Sequence, residues 1–288
     1  MNKNLIKEKY NNKIKLIRYY NQKYFNENIS EITDSAYDSL KKEILILEKK
    51  YNYLKSKNSP SLTVGSKPSK YFKKVAHKTP MLSLANAFSE KDLENFEKKI
   101  LNYLDKSLEF EIEYTAEPKI DGISASLVYR NGRFVRGLSR GDGKEGEDIT
   151  ANLKTIKDIP HLISKKNFPN EIDIRGEVYI QNSDFKDLKN KFANPRNAAS
   201  GTLRQKDPKE TQKIPLKFIA YTFGYQNGMF INNQNDFLDN LYKWGFKTNP
   251  LNKKVKGIKN LMKNYYEVEK KINEINFDID GIVYKVND

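Results

Sequence analysis

Two segments near the start of the chain carry apolar residues at helical spacing. The first covers residues 4–25, and the second begins at Asp34, a good N-cap residue. Because a short polar loop joins them, the pattern predicts a helical hairpin. The apolar positions of the two segments are Ile6, Tyr10, Ile14, Ile17, Tyr24, Tyr37, Leu40, Ile44, Leu47 and Tyr51.

The pattern changes after a stretch rich in Ser, Pro and Lys at residues 55–70, which is typical of a linker. Ser89 and Asp92 then form a capping box in front of a further helix. From residue 109 onward strand-like alternation dominates, with helical patterns near 236–244 and 258–273. Strands are predicted over 109–116, 123–130, 133–139, 172–180, 215–225 and 277–286.

The stretch 116–124 lies between two of these strands and contains Lys119, Asp121 and Gly122. The following strand runs to Asn131-Gly132, a strong signal for a tight hairpin, because both turn residues accept positive φ. Lys119 is therefore expected at the end of an antiparallel strand. Taken alone, a lysine beside Asp-Gly is more typical of a solvated turn than of a reactive group.

A glycine-rich loop at residues 141–146 matches the G-x-G-x-x-G pattern of dinucleotide folds. The preceding strand belongs to a hairpin, whereas that fingerprint requires a strand–helix–strand unit of a parallel sheet. The loop and its flank also carry acidic residues that would repel a pyrophosphate: Asp142, Glu145, Glu147 and Asp148. We expect a structured loop beside a site and reject the dinucleotide fold.

Composition excludes several kinds of chemistry. There is no Cys, and the two His residues leave a His-rich metal site or a Ser-His-Asp triad poorly supplied. No apolar stretch approaches the ~20 residues that span a bilayer, and the N-terminus has no signal-peptide core, so a cytoplasmic protein is expected. The net charge of +15, from 52 Lys+Arg against 37 Asp+Glu, suits nucleic acid, although a composition rich in Lys, Asn and Ile gives the same excess.

A lysine nucleophile must lose its proton, and nearby cations or burial promote that loss. Arg140, Arg175 and Lys285 are candidate neighbours if their strands converge on Lys119. Attack on phosphorus suits a surrounding Lys/Arg clamp, whereas Schiff-base chemistry usually accompanies a barrel or a pyridoxal site, which nothing here indicates.

The string Lys119-Ile-Asp-Gly resembles the K-x-D-G signature of the covalent nucleotidyltransferases, which include DNA and RNA ligases and mRNA capping enzymes. Longer strings resemble the bacterial NAD-dependent DNA ligases in particular, and the similarity covers the chain from about residue 5. These strings begin at Glu117 (EPKIDG), Ser139 (SRGDG), Arg175 (RGE), Phe192 (FANPRNAA) and Asp280 (DGIVYK).

The resemblance implies an α+β chain of two domains. Residues 1–68 would form a helical domain that binds nicotinamide mononucleotide (NMN), and residues 69–288 a nucleotidyltransferase (ATP-grasp-like ligase) domain of antiparallel sheets flanked by helices. Lys119 would attack the adenylyl phosphate of NAD, with Asp121 in support, release NMN and carry AMP for transfer to the 5′-phosphate of a nick in replication and repair. Matching NAD-binding positions are Tyr24, Asp34, Tyr37, Asp38, Ser83, Leu84, Glu117, Arg140, Glu177, Tyr221 and Lys285.

Further expectations follow from the same resemblance. Arg196 and Arg204 match arginines that face nicked double-stranded DNA, and Mg²⁺, or Mn²⁺ in its place, is the expected metal. The protein would act as a monomer associated with the bacterial nucleoid. Phe25 stands where many members have His or Tyr. The family's oligonucleotide-binding, zinc, helix-hairpin-helix and BRCT modules would follow Asp288, so we expect the chain to be either a fragment of a full ligase or a natural stump without them. We therefore expect NAD binding and self-adenylation without efficient sealing of nicks.

Two other functions remain open from the sequence. An ATP-dependent ligase or capping-type enzyme would use the same lysine, and a basic module without catalytic activity would use only the charge. Loss of reactivity with NAD after removal of the first 68 residues would favour the NAD-dependent enzyme over the ATP-dependent one.

Overall fold

The protein is described by a computed structural model. It describes residues 3–26, 31–32, 34–55, 59, 72–107 and 109–288, without the side chains of 24–26, 34 and 35. Most of the predicted linker therefore lies outside the described residues. The side chains of Tyr24, Phe25 and Asp34 lie outside them as well.

Helices and strands alternate irregularly along the chain. The α-helices are α1 Lys3–Asn26, α2 Asp34–Lys50, α3 Glu90–Leu104, α4 Thr150–Leu153, α5 Asn182–Phe185, α6 Pro195–Leu203, α7 Pro208–Gln212, α8 Gln234–Lys243 and α9 Gly257–Lys271. The strands are β1 Lys74–Ala76, β2 Glu113–Ile120, β3 Ile123–Arg130, β4 Arg133–Ser139, β5 Glu145–Glu147, β6 Glu171–Tyr179, β7 Lys217–Asn227, β8 Lys253–Lys256 and β9 Ile279–Val286.

The chain divides into two compact units, and the first contains the helical hairpin. This unit comprises residues 1–82 and 140–147. Helices α1 and α2 are antiparallel, since Tyr10 donates to Glu48 (2.8 Å) and Tyr37 donates to Asn21 (2.7 Å). Their facing sides bury the predicted apolar stripe, formed by Ile6, Tyr10, Ile14, Ile17, Leu40 and Ile44 together with Leu54. The helical periodicity of the sequence is confirmed here.

The same unit contains a small two-stranded sheet. Strands β1 and β5 pair antiparallel, with Val75 opposite Gly146. The backbone bond from Met81 N–H to the Gly143 carbonyl (2.8 Å) ties the segment after β1 to the glycine-rich loop. The loop that superficially resembles a dinucleotide fingerprint therefore belongs to antiparallel structure, and rejection of the dinucleotide fold is confirmed.

The second unit comprises residues 83–139 and 148–288 and contains two antiparallel sheets. The larger sheet has the strand order β4-β3-β6-β7, and the smaller has the order β8-β2-β9. Asn131 and Gly132 join β3 to β4 with φ of 48° and 74°, as the hairpin signal predicts. Tyr129 lies fully buried in the core and donates to the Pro160 carbonyl (2.6 Å).

Helices α3 and α9 supply apolar residues to the core of the smaller sheet. Leu101 of α3 and Leu261 of α9 pack with Tyr114, Ala116 and Val255 of the strands. Ser89 caps α3 by accepting from Asp92 N–H, which confirms the capping box. Antiparallel sheets with flanking helices after a helical hairpin confirm the predicted α+β class.

Some boundaries differ from the pattern. The strand expected over 109–116 begins at Glu113 and continues through Lys119 to Ile120, so the alternation of residues 109–112 lies outside it. The division between domains at residues 68 and 69 stays a prediction, because residues around it lie outside the described ones. Within the described part of the chain, none of the helices is long and apolar enough to cross a lipid bilayer.

The turn glycine provides a test of the hairpin. A Cβ on Gly132 would lie 2.1 Å from the Ile163 carbonyl oxygen, whereas one on Gly228, which also has positive φ, would come no closer than 3.4 Å to any neighbour. Gly132→Ala is expected to lower the free energy of unfolding by about 2 kcal/mol more than Gly228→Ala, because it adds a backbone clash to the same strain. Urea denaturation measures both; equal losses would contradict the close contact.

Candidate active site

A bulge in the pairing of β2 with β9 sets the position of Lys119. Pro118 pairs with Ile282 and Ile120 with Ile279, so Asp280 and Gly281 together oppose the single residue Lys119. A bulge bends its strand and re-aims side chains. Here it brings the Asp280 carboxylate into contact with Lys119 Nζ, forming an ion pair in which both side chains remain partly exposed. The predicted nucleophile thus lies near the end of an antiparallel strand, in reach of solvent.

Glu117 lies two residues before Lys119 on the same strand face, but it is almost fully buried. Its carboxylate accepts hydrogen bonds from Thr115 Oγ1 (2.9 Å), Gln234 Nε2 (2.9 Å) and Lys285 Nζ (2.7 Å). A buried carboxylate needs such partners, since burial without them costs several kcal/mol. The predicted pair of Glu117 and Lys285 is therefore brought together across β2 and β9.

Lys285 also contacts Tyr221 of β7. Its Nζ donates to the Tyr221 carbonyl (2.9 Å) and lies 5.4 Å from the centre of the Tyr221 ring. Burial lowers the pKa of Lys285, and the neighbouring carboxylate of Glu117 opposes that shift. The two sheets thus meet at one cluster of an acid, a base and an aromatic ring.

Glu177 of β6 forms the other wall of the cluster. It accepts from Ser124 Oγ (2.9 Å), and the Tyr221 hydroxyl lies 3.4 Å from the same Ser124 oxygen. Burial raises the pKa of Glu177 to about 7, although Arg196, the Ser124 hydrogen bond and Lys119 each oppose the rise. A carboxyl group that titrates near neutrality inside a cluster of polar groups is typical of a functional site.

Gly122, three residues after Lys119, is required because there is no space for a side chain at this position. A Cβ there would lie 2.3 Å from the Val178 carbonyl oxygen and 2.8 Å from Glu177 Cγ. The close approach of β6 leaves no room for a side chain, so glycine allows Glu177 to lie against the turn after β2.

Asp121 pairs with Arg196, which lies in the first turn of α6. The distance from Arg196 Nη1 to Asp121 Oδ1 is 2.6 Å. Asn194 caps α6 by accepting from Asn197 N–H, and Pro195 occupies the first turn. Arg204 lies at the C-cap of the same helix. The two arginines predicted to face DNA are thus carried by one helix, one of them joined to the signature aspartate.

The remaining predicted positions lie elsewhere in the two units. Ser83 and Leu84 are exposed in the segment before α3, and Arg140 belongs to the loop of the first unit, where its Nε lies 3.4 Å from the Met81 carbonyl. On α2, Tyr37 is half-buried, and burial raises its pKa; Asp38 lies beside it. The side chains of Tyr24 and Asp34 lie outside the described residues.

Four residues of the cluster are not among the predicted site residues: Thr115, Ser124, Gln234 and Asp280. Asp280 had two signals, since it begins the family-like string DGIVYK and lies in the repeat of Ile-Asp-Gly-Ile at 279–282. Ser124 and Gln234 have no local signature, since only strand register and helix placement bring them in. Arg175, a candidate cation beside Lys119, instead forms an ion pair with Asp173 (3.1 Å).

The cluster combines an accessible amine, several further acidic and cationic side chains and an aromatic ring, so it can hold a nucleotide and present its phosphate to Lys119. Among the described residues, no three His, Asp or Glu side chains are grouped closely enough to hold a metal ion. This arrangement matches the one expected for a nucleotidyltransferase that uses a lysine nucleophile.

Comparison with known families agrees with the geometry. Residues 69–288 match the family described as NAD-dependent DNA ligase adenylation domain, and residues 3–65 match the DNA ligase-like, N-terminal NAD⁺-binding domain. Because the first match covers most of the chain, the chain belongs to the NAD-dependent DNA ligase family and contains its adenylation domain.

Curated relatives carry the name DNA ligase. The protein of Pelagibacter ubique (strain HTCC1062) is 62% identical over 288 residues, which are 100% of this chain and 43% of the relative. That of Phenylobacterium zucineum (strain HLK1) is 45% identical over 92% of this chain and 39% of the relative. That of Parvibaculum lavamentivorans is 43% identical over 94% and 39%. The chain thus spans about two fifths of the length of these relatives.

The raised pKa of Glu177 predicts a pH-dependent stability. The neutral form of Glu177 stabilises the folded protein. This stabilisation is complete below pH 4.5 and is lost as the pH rises through about 7. Between pH 5 and pH 8 the protein is expected to lose up to about 3 kcal/mol of unfolding free energy that Glu177→Gln does not lose. Urea denaturation at both pH values measures the difference, and Glu90→Gln, at an exposed position, is the matched control. Identical pH dependence in all three proteins would contradict the buried, protonatable state of Glu177.

Proposed function

We propose that this chain transfers the adenylyl group of NAD to Lys119. The amine nitrogen attacks the adenylyl phosphorus, a nitrogen–phosphorus bond forms, the phosphoanhydride bond breaks, and NMN leaves with the bonding electron pair. The observation that carries the proposal is the bulge between β2 and β9. It presents Lys119 beside Asp280 and two residues from Glu117, which is paired with Lys285.

The attacking amine must first lose a proton. Asp280 contacts Nζ directly, and both side chains are partly exposed, so the proton can pass through this carboxylate to solvent. Cations beside the cleft then stabilise the negative charge that develops on the phosphate. Lys285 and Arg196 are two such cations, and each is held by a carboxylate of the site.

The adenosine would occupy the space between the two sheets. Tyr221 offers a ring face for the base, Glu117 and Lys285 offer polar atoms for its edge, and Glu177 offers a carboxylate for a ribose hydroxyl. We also propose that Arg140, Ser83 and Leu84 contact the nucleotide, which the match of residues 69–288 to the adenylation family supports.

The NMN half would bind the helical hairpin. The match of residues 3–65 to an NAD⁺-binding domain supports this assignment. Carboxylates and aromatic faces suit a cationic nicotinamide ring, and the proposed contacts are Tyr24, Asp34, Tyr37 and Asp38.

A divalent cation, Mg²⁺ or Mn²⁺, would neutralise phosphate charge during the transfer. The described residues offer it no group of three carboxylate or imidazole ligands, so we expect it to bind mainly through phosphate oxygens of the nucleotide. Accordingly, none of the steps above depends on a protein-held metal.

The ligase relatives suggest nicked double-stranded DNA as the eventual acceptor of the AMP group. Arg196 and Arg204 on α6 and a net charge of +15 suit contacts to DNA phosphates. We propose that the protein acts as part of a nick-sealing enzyme on the bacterial chromosome.

Self-adenylation of Lys119 is the direct test. Incubation of the chain with NAD and Mg²⁺ is expected to add one AMP, seen by intact-mass spectrometry, and Lys119→Ala and Lys119→Arg are expected to abolish the adduct. Lys189→Ala, at an exposed position on the same unit, is expected to react like the unsubstituted chain. An adduct that persists at full yield in Lys119→Ala would overturn the assignment.

The same measurement separates NAD from ATP as the AMP donor. The NAD-dependent reaction is expected to release NMN and to proceed at least 100-fold faster than adenylation from ATP under equal conditions, because only NAD offers an NMN half to the helical hairpin. Faster reaction with ATP would favour an ATP-dependent ligase or capping-type enzyme. No adduct with either donor would favour a basic nucleic-acid-binding module.

A further inference from the structure

Gln234, the first residue of α8, reaches the proposed nucleotide site from outside every motif that marks it. Its Nε2 donates to Glu117 Oε1 (2.9 Å) and to the Tyr221 carbonyl oxygen (2.7 Å). These are the two residues that Lys285 Nζ also contacts, at Glu117 Oε2 (2.7 Å) and the same Tyr221 carbonyl (2.9 Å). One neutral amide and one ammonium therefore hold the same acid and the same backbone group.

The position of Gln234 is fixed by the end of β9. Asn287 accepts from Gln234 N–H through its carbonyl (2.7 Å) and from Asn235 N–H through Oδ1 (2.9 Å). Asn287 in turn donates from Nδ2 to Glu113 Oε1 (2.7 Å), at the start of β2. Asn233 caps α8 by accepting from Asp236 N–H. The start of α8 is thus joined to the two strands that carry Glu117 and Lys285.

Most of the hydrogen-bond acceptor positions of the Glu117 carboxylate are filled by protein donors. An ionised carboxylate offers about four acceptor positions, and Thr115, Gln234 and Lys285 fill three of them. The fixed orientation leaves one acceptor position for a donor of the bound nucleotide. A second cation in place of Gln234 would instead overcompensate the single negative charge, whereas an amide adds a donor without charge.

We propose that Gln234 is a positioning residue for adenylyl transfer, which orients the Glu117 carboxylate and the Tyr221 backbone for the adenosine of NAD. The inference rests on the proposed self-adenylation. It adds a residue that acts through Glu117 and Tyr221 and does not require Gln234 to contact the nucleotide.

The test compares Gln234→Leu and Gln234→Glu with Gln212→Leu and Gln212→Glu, which change an exposed glutamine at the end of α7 in the same ways. The rate of self-adenylation is followed by intact mass over a range of NAD concentrations at pH 6, 7 and 8. Thermal unfolding of every variant is measured in parallel.

Gln234→Leu is expected to react about 10- to 100-fold more slowly at low NAD concentration, since it removes a hydrogen bond to an ionised group. The half-saturating NAD concentration should rise, while the rate at saturating NAD should fall less. Gln234→Glu is expected to be slower still at pH 8, because two carboxylates then face each other. Its rate relative to the unsubstituted chain should recover towards pH 6, since a protonated carboxyl can donate one bond again.

A structural role would lower the thermal unfolding midpoint of Gln234→Glu at pH 8 together with the rate. A pH-dependent rate ratio in protein that is still folded at each pH therefore identifies positioning, even if Gln234→Leu fails to fold. Rates within twofold of the Gln212 counterparts, or a Gln234→Glu ratio that does not change with pH, would overturn the inference. If the unsubstituted chain forms no adduct, the proposed function and the inference both fail. If it reacts normally and the Gln234 variants do too, only the inference fails.

Discussion

The antiparallel pairing of β2 with β9 is the constraint on which the candidate site depends. Strand β2 carries Glu117 and Lys119, and β9 carries Asp280 and Lys285, so one ladder supplies both acids and both amines. The bulge opposite Lys119 divides them into two pairs of different character. Glu117 and Lys285 are held inside the cluster, whereas Lys119 and Asp280 remain within reach of solvent. The bulge thus separates a buried ion pair from an accessible one.

Charge compensation accounts for most of the polar groups around this ladder. Glu117 is balanced by Lys285, Asp121 by Arg196, and Lys119 by Asp280. Glu177 differs, because its direct partner is the neutral Ser124 hydroxyl and burial outweighs the more distant cations. A ligand with a hydroxyl to donate could compensate the ionised form of Glu177. The raised pKa of Glu177 thus lies at the wall where the proposed ribose would bind.

The local sequence pattern was sufficient to predict helices, strands and turns. It was not sufficient to predict which distant residues meet in the candidate site. The period of Ile6, Ile14 and Ile44 predicted the helical hairpin, and Asn131-Gly132 predicted the β3–β4 turn, because both signals act over a few residues. The signature around Lys119 indicated the chemistry through its resemblance to a family. The contact of Lys119 with Asp280 depends on a register shift between strands, and the two residues are 161 positions apart in sequence, so no local pattern specifies it. Gln234 depends on the placement of a whole helix by Asn287, and it was missed for the same reason.

We propose that the bulged ladder makes Lys119 the residue that accepts AMP. The most direct test is peptide mapping by tandem mass spectrometry after reaction of the chain with NAD. We predict that the AMP group lies on the peptide containing Lys119 and that the adduct is labile in acid, as a phosphoramide should be. AMP on Lys285 or on any other lysine, with the Lys119 peptide unmodified, would show that another amine is the nucleophile.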